Sequence, residues 1–267
     1  VDPGVVTAAY VAEKMGLSFQ CSYDAACILQ DKSRFRQFLK DNNFNVPNAK
    51  GYSSKEAALA DTKYYNWPVI VKPVDSAGSK GVMRVDEISA LPSSIDYALS
   101  ESHNGHFIIE DFLEKEGNSS DCDSFTVDGK LVFCSFNDQH FDSKAINPYA
   151  PAAFSWPSTM PQWAQEELRS ELQRLMTLLN VKTGVYNIET RLCKNGKPYI
   201  MELAPRGGGN RLSEMMKYIS GQDLIDNCVR AAVGDSIDEI HQPDYDGYWA
   251  EIILHSERDG VFQSIEI

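Results

Sequence analysis

The chain has 267 residues, 43% of them hydrophobic and 24% charged, and a net charge of −13, with a pI of about 4.8. This acidic balance excludes the basic field expected of a nucleic-acid or anionic-membrane surface, so any anion site must rest on a few local lysines and arginines. No apolar run approaches the ~20 residues of a transmembrane helix, and no signal peptide is visible.

Six cysteines, Cys21, Cys27, Cys122, Cys134, Cys193 and Cys228, form no C-x-x-C pair. They read as reduced, mostly buried thiols of a cytoplasmic protein. The chain opens on "VDPGVV" without methionine and stops in the strand-like "GVFQSIEI", so both ends read as cuts through a longer protein.

In chain order, residues 5–15 form a helical run ended by Gly16. "DKSRFRQFLKDNN" is a second, with Phe35, Phe38 and Leu39 at helical spacing. "WPVIVKPVDSAGSKGVMRV" reads as strand, glycine-bearing loop, strand. "HFIIEDFLE" is a short strand with an acidic end, and "DSFTVDGKLVFCSFN" a hairpin turning at Asp128-Gly129. Residues 137–160, with Pro148, Pro151 and Pro157, read as a long ordered loop. "PQWAQEELRSELQRLMTLLN" is the clearest helix, with Ala164, Leu168, Leu172, Leu175 and Leu179 in one stripe that Trp163 and Met176 broaden. "RLSEMMKYI" and "QDLIDNCVRAAVG" are further helical runs. Helices mixed with antiparallel hairpins give an α+β class.

Between residues 186 and 204 lies a hairpin with a carboxylate in each arm. If Asn195-Gly196 makes a two-residue type I′ turn, Lys194 faces Lys197 and Glu189 faces Glu202. Asn187 then faces Ala204 and Arg191 faces Ile200, while Tyr186, Ile188, Thr190, Leu192, Tyr199, Met201 and Leu203 form the core face. Opposed like charges destabilise a sheet. Three arrangements relieve that: a divalent cation such as Mg²⁺, a bridge through Arg191, or a shared proton. Upstream, Lys72 ends an apolar strand, and the turn that follows holds Gly78, Ser79, Lys80 and Gly81, whose small residues allow backbone N–H groups to approach phosphate oxygens. A plain hairpin loop with surface lysines explains the same residues. There is no G-x-x-x-x-G-K-[ST] or G-x-G-x-x-G pattern and no legible Ser-His-Asp arrangement. Of the histidines only His140, in the long loop, invites attention.

Over roughly residues 5–240 these elements, in this order, resemble the ATP-grasp superfamily, in its carboxylate–amine ligase and carbamoyl-phosphate-synthase-like branches. Asp31-Lys32, the Lys72 strand with its glycine loop, "FIIEDFLE" and "VYNIETRL…PYIMELAPRGGGN" carry the resemblance. It implies two α+β lobes clasping ATP, and a carboxylate activated as an acyl phosphate for attack by an amine or similar nucleophile. The implied division is a remnant of a preceding domain in 1–30, a linker helix and small lobe in 31–112, a large lobe in 113–245, and the start of a further segment in 246–267. By position, Lys32 and Lys72 would hold phosphates beneath a loop running from Ser76 through Gly78, Ser79 and Lys80 to Gly81. Glu110 would accept from the adenine amino group, the backbone of Asp111, Phe112 and Leu113 would complete that edge, and Asp121 would lie near the ribose. Glu189 and Glu202 would ligate one or two Mg²⁺ ions, Arg206 would act with Lys72 on the transferred phosphoryl, and Asn210 and Arg211 would line the substrate side. The implied partners are small-molecule carboxylate and nucleophile substrates, with neither nucleic acid nor membrane.

One departure stands out. Many relatives carry an asparagine two residues after the second glutamate, where this chain has Ala204; a second metal would then rest on Glu202 and phosphates alone, recruit Asn210, be weakly held, or take its missing oxygen from Asn187, expected opposite. Three functions compete: an ATP-dependent ligase, bicarbonate phosphorylation in the manner of biotin carboxylase or carbamoyl phosphate synthase, and a nucleotide-binding module without turnover. The substrate would be chosen by residues 137–160, with His140, Lys144 and Tyr149 as candidates.

Overall fold

Two antiparallel four-stranded sheets dominate the computed structural model, which describes residues 2–145, 147–242, 244–254, 256 and 259–265. The smaller sheet has the order β1 (Ala49–Tyr52), β4 (Phe107–Asp111), β2 (Val69–Pro73), β3 (Met83–Val85). Strict alternation along β2 sends Val69 and Val71 into a core with Val85, Phe107 and Ile109, leaving Ile70 and Lys72 on the opposite face. Helices α4 (Lys55–Ala60) and α5 (Leu91–Ser100) close that core through Ala58, Leu91, Ile95 and Ala98.

The larger sheet has the order β10 (Pro198–Ala204), β9 (Gly184–Leu192), β5 (Ser120–Val127), β6 (Lys130–Cys134). Its apolar face packs on helix α6 (Gln162–Leu178), where Ala164, Leu168, Leu172, Leu175 and Met176 are all buried. Burying each leucine there stabilises the fold by about 1.5–3 kcal/mol. Trp163, expected in the same stripe, is 49% exposed, because its position lies off the Ala164–Leu168–Leu172 line. Helices α1 (Asp2–Met15), α2 (Tyr23–Gln30) and α3 (Lys32–Asp41) join this core through Val5, Ala9, Leu29, Phe35 and Leu39. Residues 2–30 therefore pack onto the larger sheet's own core.

Residues 137–160 depart from the long-loop expectation. They hold β7 (Asp138–Phe141) and β8 (Pro151–Trp156), which pair with β11 (Trp249–Ile252) in a third sheet, order β11-β8-β7. Prolines concealed the strands, yet Pro151 is the first residue of β8 and Pro157 follows its end, positions where a missing N–H costs no ladder bond. Helices α7 (Leu212–Ser220) and α8 (Leu224–Val233) cover the far side, with Leu212, Met216 and Leu224 against Phe125, Phe133 and Trp156. The closing "GVFQSIEI" is not strand over residues 260–265, and its last two residues, Glu266 and Ile267, lie outside the described residues.

Candidate active site between the two sheets

Asp31 caps α3, accepting from the Ser33 and Arg34 N–H groups at 2.9 and 3.0 Å. The helix that follows sets Lys32 and Arg36 one turn apart on one face. Lys32 Nζ donates to the Ser76 carbonyl at 3.0 Å, so the helix start supports the glycine-bearing loop. Arg36 is buried and donates through Nε to Glu110 Oε2 at 2.9 Å and through Nη1 to the Met201 carbonyl at 2.8 Å. Across β2 and β4, Lys72 faces Ile108, which makes Glu110 its diagonal neighbour on the cleft face; the two side chains are ion-paired. Burial alone would raise the Glu110 carboxyl, but the Arg36 and Lys72 charges overcome it and hold it at about 2. Burial pulls the Lys72 ammonium below its ordinary value, against the upward pull of Glu110. Each Glu110 oxygen is thus engaged by a cation, and each keeps a lone pair for a further donor.

The loop between β2 and β3 turns through left-handed backbone at Gly78 (φ +68°), Ser79 (φ +57°) and Gly81 (φ +71°). A side chain at Gly81 would also meet Pro73 Cγ at 2.8 Å, so a glycine is required there twice over. Ser79 Oγ donates to the Tyr149 carbonyl at 3.1 Å, linking this loop to the segment between β7 and β8.

Glu189 and Glu202 do face each other across β9 and β10, but by a different route from the one the turn suggests. Gly196 N donates to Cys193 O at 2.8 Å and Cys193 N to Lys197 O at 3.1 Å, which makes a three-residue loop rather than a two-residue type I′ turn. Only Gly196 in it has positive φ (+75°). Near the loop, Tyr199 therefore faces Arg191 and Ile200 faces Thr190. A bulge between Ile200 and Glu202 then restores the other register, so Glu202 faces Glu189 and Ala204 faces Asn187. The bulge also exchanges two side chains relative to the expectation: Ile200 enters the core and Met201 lines the cleft. At Asp128-Gly129, by contrast, both residues have positive φ and the expected two-residue turn forms.

Three adjacent strands thus lay two rows of side chains across the cleft floor. Asp121, Glu189 and Glu202 form one; Asp123, Asn187 and Ala204 form the other. Arg191 pairs with Glu189 at 2.8 Å. The Glu202 side chain makes no hydrogen bond or ion pair among the described residues. Burial first, then the Glu189 charge, raises the Asp121 carboxyl to about 7. Asn187 Nδ2 donates to Asp121 at 2.8 Å while its Oδ1 accepts from Arg206 Nη1 at 3.1 Å. The amide oxygen expected to stand in for an asparagine at 204 is therefore committed to Arg206. Asp123, buried, accepts from the Gly208 N–H at 2.7 Å and from the Ser213 hydroxyl, and so fixes the "PRGGGN" turn to the sheet.

These groups surround one cavity of about 770 Å³, a size suited to a nucleotide-sized ligand. Lys32, Lys72, Ser76, Gly78, Ser79, Lys80, Glu110 to Leu113, Asp121, Glu189, Glu202, Arg206 and Asn210 all line it. Gly81, though part of the loop, is not in the lining, and Arg211 is ion-paired with Glu214 outside it. Of the long-loop candidates Tyr149 lines the cavity, whereas His140 is hydrogen-bonded to Ser155 at 2.9 Å and Lys144 lies outside the lining. Arg36, Asn187 and Gln139 also line the cavity, and Asp123 stands behind Asn187. Two sequence signals mark them: Arg36 sits one turn after Lys32, and Asp123 shares the face of Asp121 at period two.

The ATP-grasp domain model matches residues 65–214, more than half of the chain. The chain belongs to the ATP-grasp family. It is 26% identical over 212 residues to the carbamoyl phosphate synthase large chain, C-terminal section, of Aquifex aeolicus, covering 79% of this chain and 38% of that protein. To the carbamoyl phosphate synthase large chain of Methanothrix thermoacetophila it is 27% identical over 224 residues, or 82% of this chain and 20% of the relative. It therefore spans between a fifth and two fifths of these relatives' length. The L-amino acid ligase of Bacillus licheniformis shares the fold with a TM-score of 0.71 at 20% identity, over 87% of this chain and 54% of that one. The biotin carboxylase domain of Hydrogenobacter thermophilus 2-oxoglutarate carboxylase, solved with MgADP, ADP and bicarbonate, gives a TM-score of 0.74 at 18% identity over 92% and 55%. No helix among the described residues is long and apolar enough to cross a membrane.

Proposed function

We propose that this ATP-grasp chain binds Mg-ATP in the cleft between its two sheets and phosphorylates a carboxylate to an acyl phosphate, which an amine or similar nucleophile then attacks. The observation that carries the reading is Glu202, a carboxylate without a side-chain partner among the described residues, held opposite Glu189 in a cavity that also holds Lys32, Lys72 and Lys80. Opposed carboxylates cost stability in a sheet; Arg191 pairs with Glu189 and leaves the Glu202 charge to be met, and hard carboxylate oxygens suit Mg²⁺. No three His, Cys, Asp or Glu side chains among the described residues converge into a ready metal cage. Mg²⁺ is commonly bound through one or two carboxylates plus substrate phosphates. When bound, the ion would neutralise charge on the phosphate oxygens.

The chain's own residues would do the rest by position and charge, as phosphoryl transfer requires. Lys32 and Lys72 would hold phosphate oxygens, and the backbone N–H groups of Ser76–Gly81 would cover them. The backbone of Asp111–Leu113 would read the adenine edge, with a spare lone pair of Glu110 for the amino group, and Asp121 would face the ribose side. Arg206, oriented by Asn187, would stabilise the transferring phosphoryl, and Asn210 would face the substrate. Arg211, paired outward, would reach it only after leaving Glu214. With Ala204 bearing no ligand atom and Asn187 committed, one tightly held ion at Glu189 and Glu202 is the arrangement these residues support. A cytoplasmic setting suits the six free thiols.

Similarity to carbamoyl phosphate synthase large chains favours a second reading, in which bicarbonate is the carboxylate. ADP release from Mg-ATP, assayed with bicarbonate and with pools of amino acids, separates the two. Amino-acid dependence supports the ligase, bicarbonate dependence the second reading, and tight ATP binding without ADP from any pool refutes both. Glu202→Gln should abolish turnover with the fold intact; near-normal activity in that variant would remove the metal assignment.

A further inference from the structure

We infer that Arg36 is a positioning residue that locks the phosphate-binding half of the cleft to the metal-binding half. The inference rests on the Mg-ATP reading of this cleft and concerns a residue to which that reading gives no role. Arg36 rises from α3 and makes two hydrogen bonds, one to each sheet. Nε donates to Glu110, which holds Lys72 on the small sheet; Nη1 donates to the carbonyl of Met201 on the large one. Met201 is the extra residue of the β10 bulge, with no partner across the ladder, and it immediately precedes Glu202. The carbonyl that the bulge removes from the ladder is thus satisfied by a group that also fixes the phosphate lysine.

The side chains of Arg36 and Glu110 are 4% and 3% exposed, so this contact is shielded from solvent. A guanidinium is planar and presents its donors in a rigid fork, so one side chain fixes the direction of both acceptors at once. A lysine offers a single point charge and cannot span the two. Lys32 grows from the same helix one turn earlier. One rigid turn therefore relates three elements of the seat: Lys32, the Lys72–Glu110 pair, and the bulge that aims Glu202. A purely structural arginine would affect ATP and Mg²⁺ alike. A positioning arginine sets how much each improves the binding of the other, a reciprocal coupling whose usual size is roughly 5–150-fold.

The test is calorimetric titration of ATP into the protein, with Mg²⁺ and with EDTA, in wild type, Arg36→Met and Arg36→Lys. Wild type should bind ATP more tightly with Mg²⁺. In Arg36→Met that ratio should fall about tenfold, while affinity in EDTA falls far less. Should the methionine variant not fold, Arg36→Lys carries the test: it keeps a charge against Glu110, and its ratio should fall by at least about threefold at a melting temperature near that of wild type. In a Glu202→Gln background, Arg36→Lys should no longer change the ratio, because the group it aims is gone. An unchanged ratio in both single variants, or equal loss with and without Mg²⁺, overturns the inference and leaves the nucleotide site standing. Failure of wild type to bind ATP at all overturns the nucleotide reading, and this inference with it.

Discussion

Replacing Glu110 by glutamine leaves two buried cations, Arg36 and Lys72, without their shared carboxylate. Their side chains are 4% and 12% exposed, so water screens the loss poorly. Removing one partner of a buried pair costs roughly 3–5 kcal/mol. At about 2–4 °C per kcal/mol for a chain of this size, Glu110→Gln should melt roughly 6–20 °C below wild type at pH 7. The pH dependence has a definite sign. The Glu110 carboxyl is depressed from 4.5 to about 2, so its contribution is complete above pH 4.5 and fades as pH falls towards 2. That shift corresponds to about 3 kcal/mol, in line with the substitution cost. The gap between wild type and variant should therefore be constant from pH 7 to about 5 and close progressively below that. Thermal unfolding followed by circular dichroism across pH 3–7 measures both. A gap under 2 °C at pH 7, or one that stays fixed down to pH 3, would refute the reasoning.

Gly208→Ala should spare nucleotide binding yet lower turnover about tenfold or more, because the added Cβ would stand 2.8 Å from Asn187 Nδ2 and 2.9 Å from Asp123 Oδ1 and disturb the support of Arg206; comparing ATP affinity with ADP release checks this. Leu172→Ala, fully buried between α6 and the large sheet, should cost about 2–5 kcal/mol, read as a denaturation midpoint, with ATP affinity of the folded fraction unchanged.

Much of the site is legible in the residues alone, because its parts obey local rules. The apolar alternation of Val69-Ile70-Val71 turns Lys72 to the cleft, and Asp31 before a helical run marks where Lys32 must emerge. What is hidden depends on the third dimension. The β10 bulge follows from loop geometry and packing: Asn195-Gly196 permits either a two- or a three-residue connection, and placing Ile200 in the core decides the outcome. The spacing of Arg36 one turn after Lys32 gives its face of the helix, but its two acceptors, Glu110 and the Met201 carbonyl, are brought to it only by the fold. The strands β7 and β8 are masked by prolines at their margins, and β8 finds one of its partners, β11, about a hundred residues later.

The bulge at Met201 also gives the hairpin slack. A chain whose carboxylates were registered directly by their turn would lose the Glu189–Glu202 alignment with any change of loop length, since one residue of slip turns a side chain to the opposite face. Here the connection at Lys194–Gly196 already differs in register from the carboxylates, and the mismatch is absorbed before Glu202 is reached. The register at the distal end of the hairpin is therefore separate from the register of the acidic pair. The exposed tip at residues 194–197 is the place where a tag, a probe or a single inserted residue could be accommodated while the acidic pair stays aligned.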